Sequence, residues 1–171
     1  MILREEILKE HSKSQCNRIV DWIDDNQERF DQLFKLFLHG TAIETQRASW
    51  PLGYAVARHP ALIGKHWKSL MDYLQKPHLH NAIKRNSIRC LTYTEIPENY
   101  RGTVMDTCFR FLESPSEAVA VKVHCLVVLK NLSQYYPEII PEIKLVVDEQ
   151  ITGQTAGFKS CVRKVLKNIG E

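Results

Sequence analysis

Between Tyr73 and Thr94 the chain carries no acid, yet it holds Lys76, His78, His80, Lys84, Arg85 and Arg89. A second cationic group, Lys159, Arg163, Lys164 and Lys167, follows before the final Glu171. Cations gathered on one surface without carboxylates attract phosphates or an acidic partner. The alternative is a solvated helix face carrying ordinary lysines. No paired carboxylates, nucleophile–base arrangement, phosphate loop or metal-ligand cluster occurs at workable spacing. No catalytic residue, no metal and no cofactor is therefore expected. His78-Leu79-His80 reads as a pair of turn histidines, because on a helix the two rings would point apart and no third ligand lies near in sequence. His124 reads as a core histidine, since the spacing places no carboxylate beside it for acid–base work.

The scaffold that must position these residues is soluble and globular in composition. With 171 residues it is long enough for one domain with a real core. Apolar residues at 44% and charged residues at 25% exclude a mainly disordered chain. The net charge of +3 is too mild to imply nucleic acid without a local patch. The five cysteines, Cys16, Cys90, Cys108, Cys125 and Cys161, form no CxxC pair and fall among apolar neighbours, so reduced core thiols are expected. The N-terminus meets charge at Arg4-Glu5-Glu6, with no apolar signal region, and no apolar run approaches the roughly 20 residues of a bilayer span. A soluble, cytoplasmic protein without membrane attachment is the expectation.

Apolar spacing predicts helices throughout, and no stretch shows the period-two alternation of a strand. Residues 1–26 form one or two cap helices, with Trp22 on the apolar side and an acidic run from Asp21 to Asp31 on a solvated face. Repeats then follow over 27–58, 60–95, 97–136 and 138–169. Their helices are expected at 27–39, 42–58, 60–75, 79–95, 97–113, 116–136, 138–150 and 155–169, the last stopping before Gly170. Trp67 belongs to the core of helix 60–75. Trp50-Pro51 falls inside helix 42–58, where proline removes a backbone bond and should introduce a bend.

Three markers keep one register. The breakers Gly40, Pro77, Pro115 and Gly153 are separated by 37, 38 and 38 residues. The helix-opening Pro60, Pro97 and Pro137 are separated by 37 and 40. The cations Arg47, Arg85, Lys122 and Lys159, near the start of each second helix, are separated by 38, 37 and 37 and should occupy equivalent places. One helix pair cannot bury its apolar face alone, so the pairs must stack on one another into a solenoid.

Val121-Lys122, followed by Cys125, Val128-Leu129 and Leu132, resembles the second helix of a HEAT repeat, and Phe158-Lys159 with Val162, Val165-Leu166 and Ile169 repeats it. Gln46-Arg47 with Trp50, Gly53-Tyr54 and Ala57, and Lys84-Arg85 with Ile88, Leu91 and Thr92, resemble it more loosely. The resemblance implies an all-α, right-handed superhelix of four to five helix pairs. The turns offer Thr41, His78, Ser116 and Thr155 where the family often carries Asp, so no regular Asp–Arg ladder is expected. It also implies that second helices line a concave face, whose outward residues would include Arg58, Arg85, Arg89, Tyr93, Lys130, Arg163 and Lys167. The function implied is a non-catalytic protein-interaction scaffold whose partner is another protein with an acidic segment; nucleic acid is the second choice. Two alternatives have less in their favour. A HEAT-like alkylation-repair DNA glycosylase needs a central carboxylate, and the second helices from 42–58 onward contain no Asp. An all-helical lyase needs a Gly/Ser-rich signature loop, and none is present.

Overall fold

The computed structural model describes residues 1–167 and 169, and the expected stop at Gly170 lies outside them. Among the described residues the fold is all-α. The chain forms two compact units, Met1–Glu95 and Ile96–Glu171.

The first unit contains α1 (Leu3–Lys9), α2 (Lys13–Ile23), α3 (Gln27–His39), α4 (Ala42–Arg58), α5 (Trp67–Leu74) and α6 (Asn81–Thr92). Helices α2, α4 and α6 pack side by side, while α3 and the segment Pro60–Leu74 cover the other side of α4 and α6. The apolar stripe of α3, Phe30, Leu33, Phe34 and Phe37, is fully buried. Phe34 stacks on the His66 ring at 4.1 Å, and Phe37 meets Tyr73 edge-on at 5.0 Å. The start of α4 is fixed by a capping box: Glu44 N donates to the Thr41 hydroxyl at 3.4 Å, and Thr41 N donates to the Glu44 carboxylate at 2.7 Å. Helix α4 runs unbroken through Pro51.

The second unit contains α7 (Glu98–Glu113), α8 (Val119–Leu132), α9 (Ile140–Gln150) and α10 (Ala156–Lys167). Helices α7 and α9 are neighbours in one layer, and α8 and α10 in the other. Val121, Cys125, Leu126, Val128 and Leu129 on α8 are fully buried, as are Ile143 and Val147 of α9 and Phe158 of α10.

Several expected boundaries shift, each for a local reason. Helix 60–75 opens as a 3-10 turn, Pro60–His66, before α5 begins; the Gln27 side chain donates to the Leu62 carbonyl at 3.0 Å and holds that turn. Helix 138–150 likewise opens as a 3-10 turn at Pro137–Ile139, and Pro141 sits in the first turn of α9. Helix 79–95 shortens to α6 because His80, not His78, is the cap: its Nδ1 accepts from Ala82 N at 3.1 Å. His78 has the left-handed φ of 58°. Helix 116–136 shortens to α8, ending where the Ser133 hydroxyl donates back to the Lys130 carbonyl at 2.7 Å.

Two aromatic positions expected in the core are not there. Trp22 is half-buried, lying under the Arg29 guanidinium at 5.2 Å, and His124 is half-buried. Trp67 is buried as expected. The cysteines are all free thiols; four are buried and Cys161 is half-buried.

Candidate functional site

The register cations have a shared physical role in three of four cases. Arg47 Nη1 donates to the Leu8 carbonyl at 2.7 Å, at the C-terminal end of α1. Lys122, buried in α8, donates to the Gln150 Oε1, and Gln150 Nε2 in turn donates to the Leu112 carbonyl at 2.8 Å, in the last turn of α7. Lys159 Nζ donates to the Thr152 carbonyl at 3.4 Å, in the turn after α9. The last carbonyls of a helix lack intrahelical donors and sit at the negative end of its dipole, so a cation is the natural partner. The acceptors in these contacts are carbonyl and amide oxygens. Burial lowers the Lys122 pKa, with the Glu117 charge opposing. Arg85 departs from the pattern: among the described residues it makes no such bond, and it stays half-buried at the surface of α6.

That departure lies beside the most distinctive cluster of the first unit. Helix α6 approaches α4 closely at Gly53, where a Cβ would sit 3.3 Å from the Asn86 carbonyl and 3.5 Å from Arg89 Cδ. Below it the buried Asn86 Nδ2 donates to the Ser49 hydroxyl at 3.0 Å. One turn further out, the Arg89 guanidinium lies over the Tyr54 ring at 4.1 Å and near the Tyr93 ring at 5.8 Å. The Arg89 Nε is buried and has no hydrogen-bond partner among the described residues. Tyr93 is 46% exposed. Arg85, Arg89 and Tyr93, spaced four apart, form one stripe along α6.

The neighbouring cation is already engaged. Arg58 Nη1 meets Asp21 Oδ1 at 2.6 Å, and both side chains are exposed. His59 meets Asp24 at 3.2 Å. Asp31 gathers Lys65 at 2.6 Å, His66 at 2.7 Å and Gln27 at 2.9 Å. Burial would raise the Asp31 carboxyl, but these three partners outweigh it and hold it at about 2. Asp21, Asp24 and Asp31 thus have partners within the unit, while Asp21, Asp24, Asp25 and Glu28 remain exposed on the solvated face expected of this run. Burial pushes the Cys16 and Cys90 thiols up to about 12 against the pull of the Arg89 charge, so neither is a nucleophile at neutral pH.

Of the expected site residues, Arg58, Arg85, Arg89 and Tyr93 belong to the first unit, and the structure brings the last three together. Lys130, Arg163 and Lys167 belong to the second. Lys130 is half-buried in the last turn of α8, while Arg163 and Lys167 are exposed on α10. Tyr54 was not expected at the site. Its signal was the preceding Gly53, a small residue that marks a close helix approach. Among the described residues, no group of three or more His, Cys, Asp and Glu side chains is placed to hold a metal ion. No helix among them is long and apolar enough to cross a membrane.

Packed helix pairs carrying a cation in register at the start of successive second helices define an all-α repeat protein of the solenoid class. The chain matches the family model described as HEAT repeat domain over residues 3–169 and belongs to that family. No curated protein and no solved structure matches it.

Proposed function

We propose that this chain is a non-catalytic interaction scaffold and that the α6 stripe, Arg85, Arg89 and Tyr93 with Tyr54 behind it, receives an acidic segment of another protein. The observation that carries the reading is Arg89. Its guanidinium is held against Tyr54 and, among the described residues, has no carboxylate partner, whereas Arg58 is paired with Asp21. A planar guanidinium offers parallel donors that match a carboxylate, and stacking fixes its orientation before a ligand arrives. Arginine and tyrosine are also the residue types that dominate interface energies. The second helices of the second unit carry cations of their own, Lys130, Arg163 and Lys167.

The test is affinity capture from the native cell with the wild-type chain, R85E, R89E and K9E, read by mass spectrometry. Lys9 is exposed at the end of α1 and serves as the control. A partner with an acidic segment should be retained by wild type and K9E, and lost with R85E and R89E. It should also be lost as salt rises from about 0.1 M to about 1 M, which cuts the Debye length from about 10 Å to about 3 Å. R85E guards against a packing defect in R89E, because Arg85 makes no hydrogen bond or ion pair within the described chain. Equal retention by all four proteins at both salt concentrations overturns the reading. Nucleic acid as the only retained partner overturns it in favour of that second choice.

A further inference from the structure

The second unit separates its charges by layer. Helix α7 and the segment Pro137–Gln150 hold Glu98, Asp106, Glu113, Glu138, Glu142, Asp148 and Glu149 against only Arg101, Arg110 and Lys144. Helices α8 and α10 hold Lys122, Lys130, Lys159, Arg163, Lys164 and Lys167, and no acid at all. On the acidic layer, between α7 and the start of α9, lies an open groove of about 580 Å³. Its apolar side is Met105, Phe109 and Ile139, all half-buried; its acidic rim is Asp106, Glu113 and Glu142, all exposed. Arg110, the cation among its lining residues, lies over the Phe111 ring at 5.3 Å.

We propose that this groove receives the cationic face of α10 from a second copy of the same chain. Helix α10 presents Arg163, Lys164 and Lys167 to solvent, and among the described residues none of them has a carboxylate partner. A groove with an apolar floor and an acidic rim suits long cationic side chains, whose methylene stems cover the floor while their heads reach the rim. The contact is small and charge-led, so it is reversible and salt-sensitive. It uses residues distinct from the α6 stripe, so either proposal can fail without the other.

Sedimentation equilibrium of the full chain tests this. The expected result is an average mass above the monomer that rises with protein concentration at low salt and returns to the monomer at about 1 M salt, where screening acts within about 3 Å. D106K/E142K should be monomeric, because a cationic groove then faces a cationic helix. R163E/K164E/K167E should be monomeric for the mirror reason. Mixing these two variants should restore association, since each supplies the charge the other lacks. All substituted positions are exposed, and circular dichroism checks that both variants remain helical. A wild type that stays monomeric at low salt, or a mixture that stays monomeric, overturns the proposal. So does a monomeric wild type that binds a labelled leucine–arginine peptide through Asp106 and Glu142, which would assign the groove to a basic segment of another protein.

Discussion

Each unit contains an arginine laid on a tyrosine, and the two arginines differ in what else they do. In the second unit the Arg101 guanidinium lies 3.8 Å from the centre of Tyr135, and its Nε donates to the Ile96 carbonyl at 3.0 Å. In the first unit Arg89 lies over Tyr54, but its Nε is buried without a partner among the described residues. Both stacks hold a planar cation in place. Arg101 completes its own helix start and serves the fold, whereas Arg89 retains donor capacity that the fold does not use. An unmet buried donor costs about 1–3 kcal/mol. The charge patterns diverge in the same way: the first unit pairs Asp21 with Arg58 and Asp31 with Lys65, and the second segregates acid from base.

The largest expected effect probes whether the units respond separately. Leu129 is fully buried in α8, so L129A should cost about 2–5 kcal/mol in urea unfolding. Trp22, Trp50 and Trp67 all lie in the first unit. The helical signal by circular dichroism should therefore lose more stability than the tryptophan emission does. Coincident shifts would mean that the two units unfold as one.

A smaller effect addresses the arginine comparison directly. R101A should destabilise by about 1 kcal/mol, through loss of a stack and a hydrogen bond. R89A should cost less, because the substitution also removes the unmet donor. Thermal unfolding of both variants decides it, and a larger loss for R89A would show that Arg89 serves the fold after all.

The smallest effect is a pH dependence confined to the first unit. The Asp31 carboxyl is held at about 2, below its unfolded value of about 4. Its depressed pKa stabilises the fold above about pH 4, and that contribution is lost as pH falls toward about 2. The melting temperature of wild type should exceed that of D31N at pH 5, and the gap should close on acidification. A gap that stays constant from pH 5 to about pH 2 would remove Asp31 from the acid response.

Helix identity and repeat register were readable because both are local: apolar spacing, breakers and cations recur along the chain without reference to its path. The Asp21–Arg58 pair could not be read, since its partners are 37 residues apart and any exposed acid was an equal candidate. The 3-10 openings at Pro60 and Pro137 escaped because proline permits either helix type, and at Pro60 a distant Gln27 side chain holds the turn. The spacing made Arg85 equivalent to Arg47, Lys122 and Lys159; only the fold shows that, among the described residues, Arg85 makes no bond to a helix end. The α7–α9 groove has no local signal, because Asp106 and Glu113 meet Ile139 and Glu142 only once α9 packs beside α7.

The cations that do find a helix end impose an uneven rule on mutation. Arg47 and Lys159 grip main-chain oxygens, which every residue type supplies, so positions Leu8 and Thr152 are free to drift in sequence without breaking the joint. Lys122 reaches its carbonyl through the Gln150 side chain. That joint is written in side-chain chemistry, and a change at Gln150 strands a buried charge. Two joints of this protein are thus indifferent to their neighbours' identity, and one binds two positions 28 residues apart to a common fate.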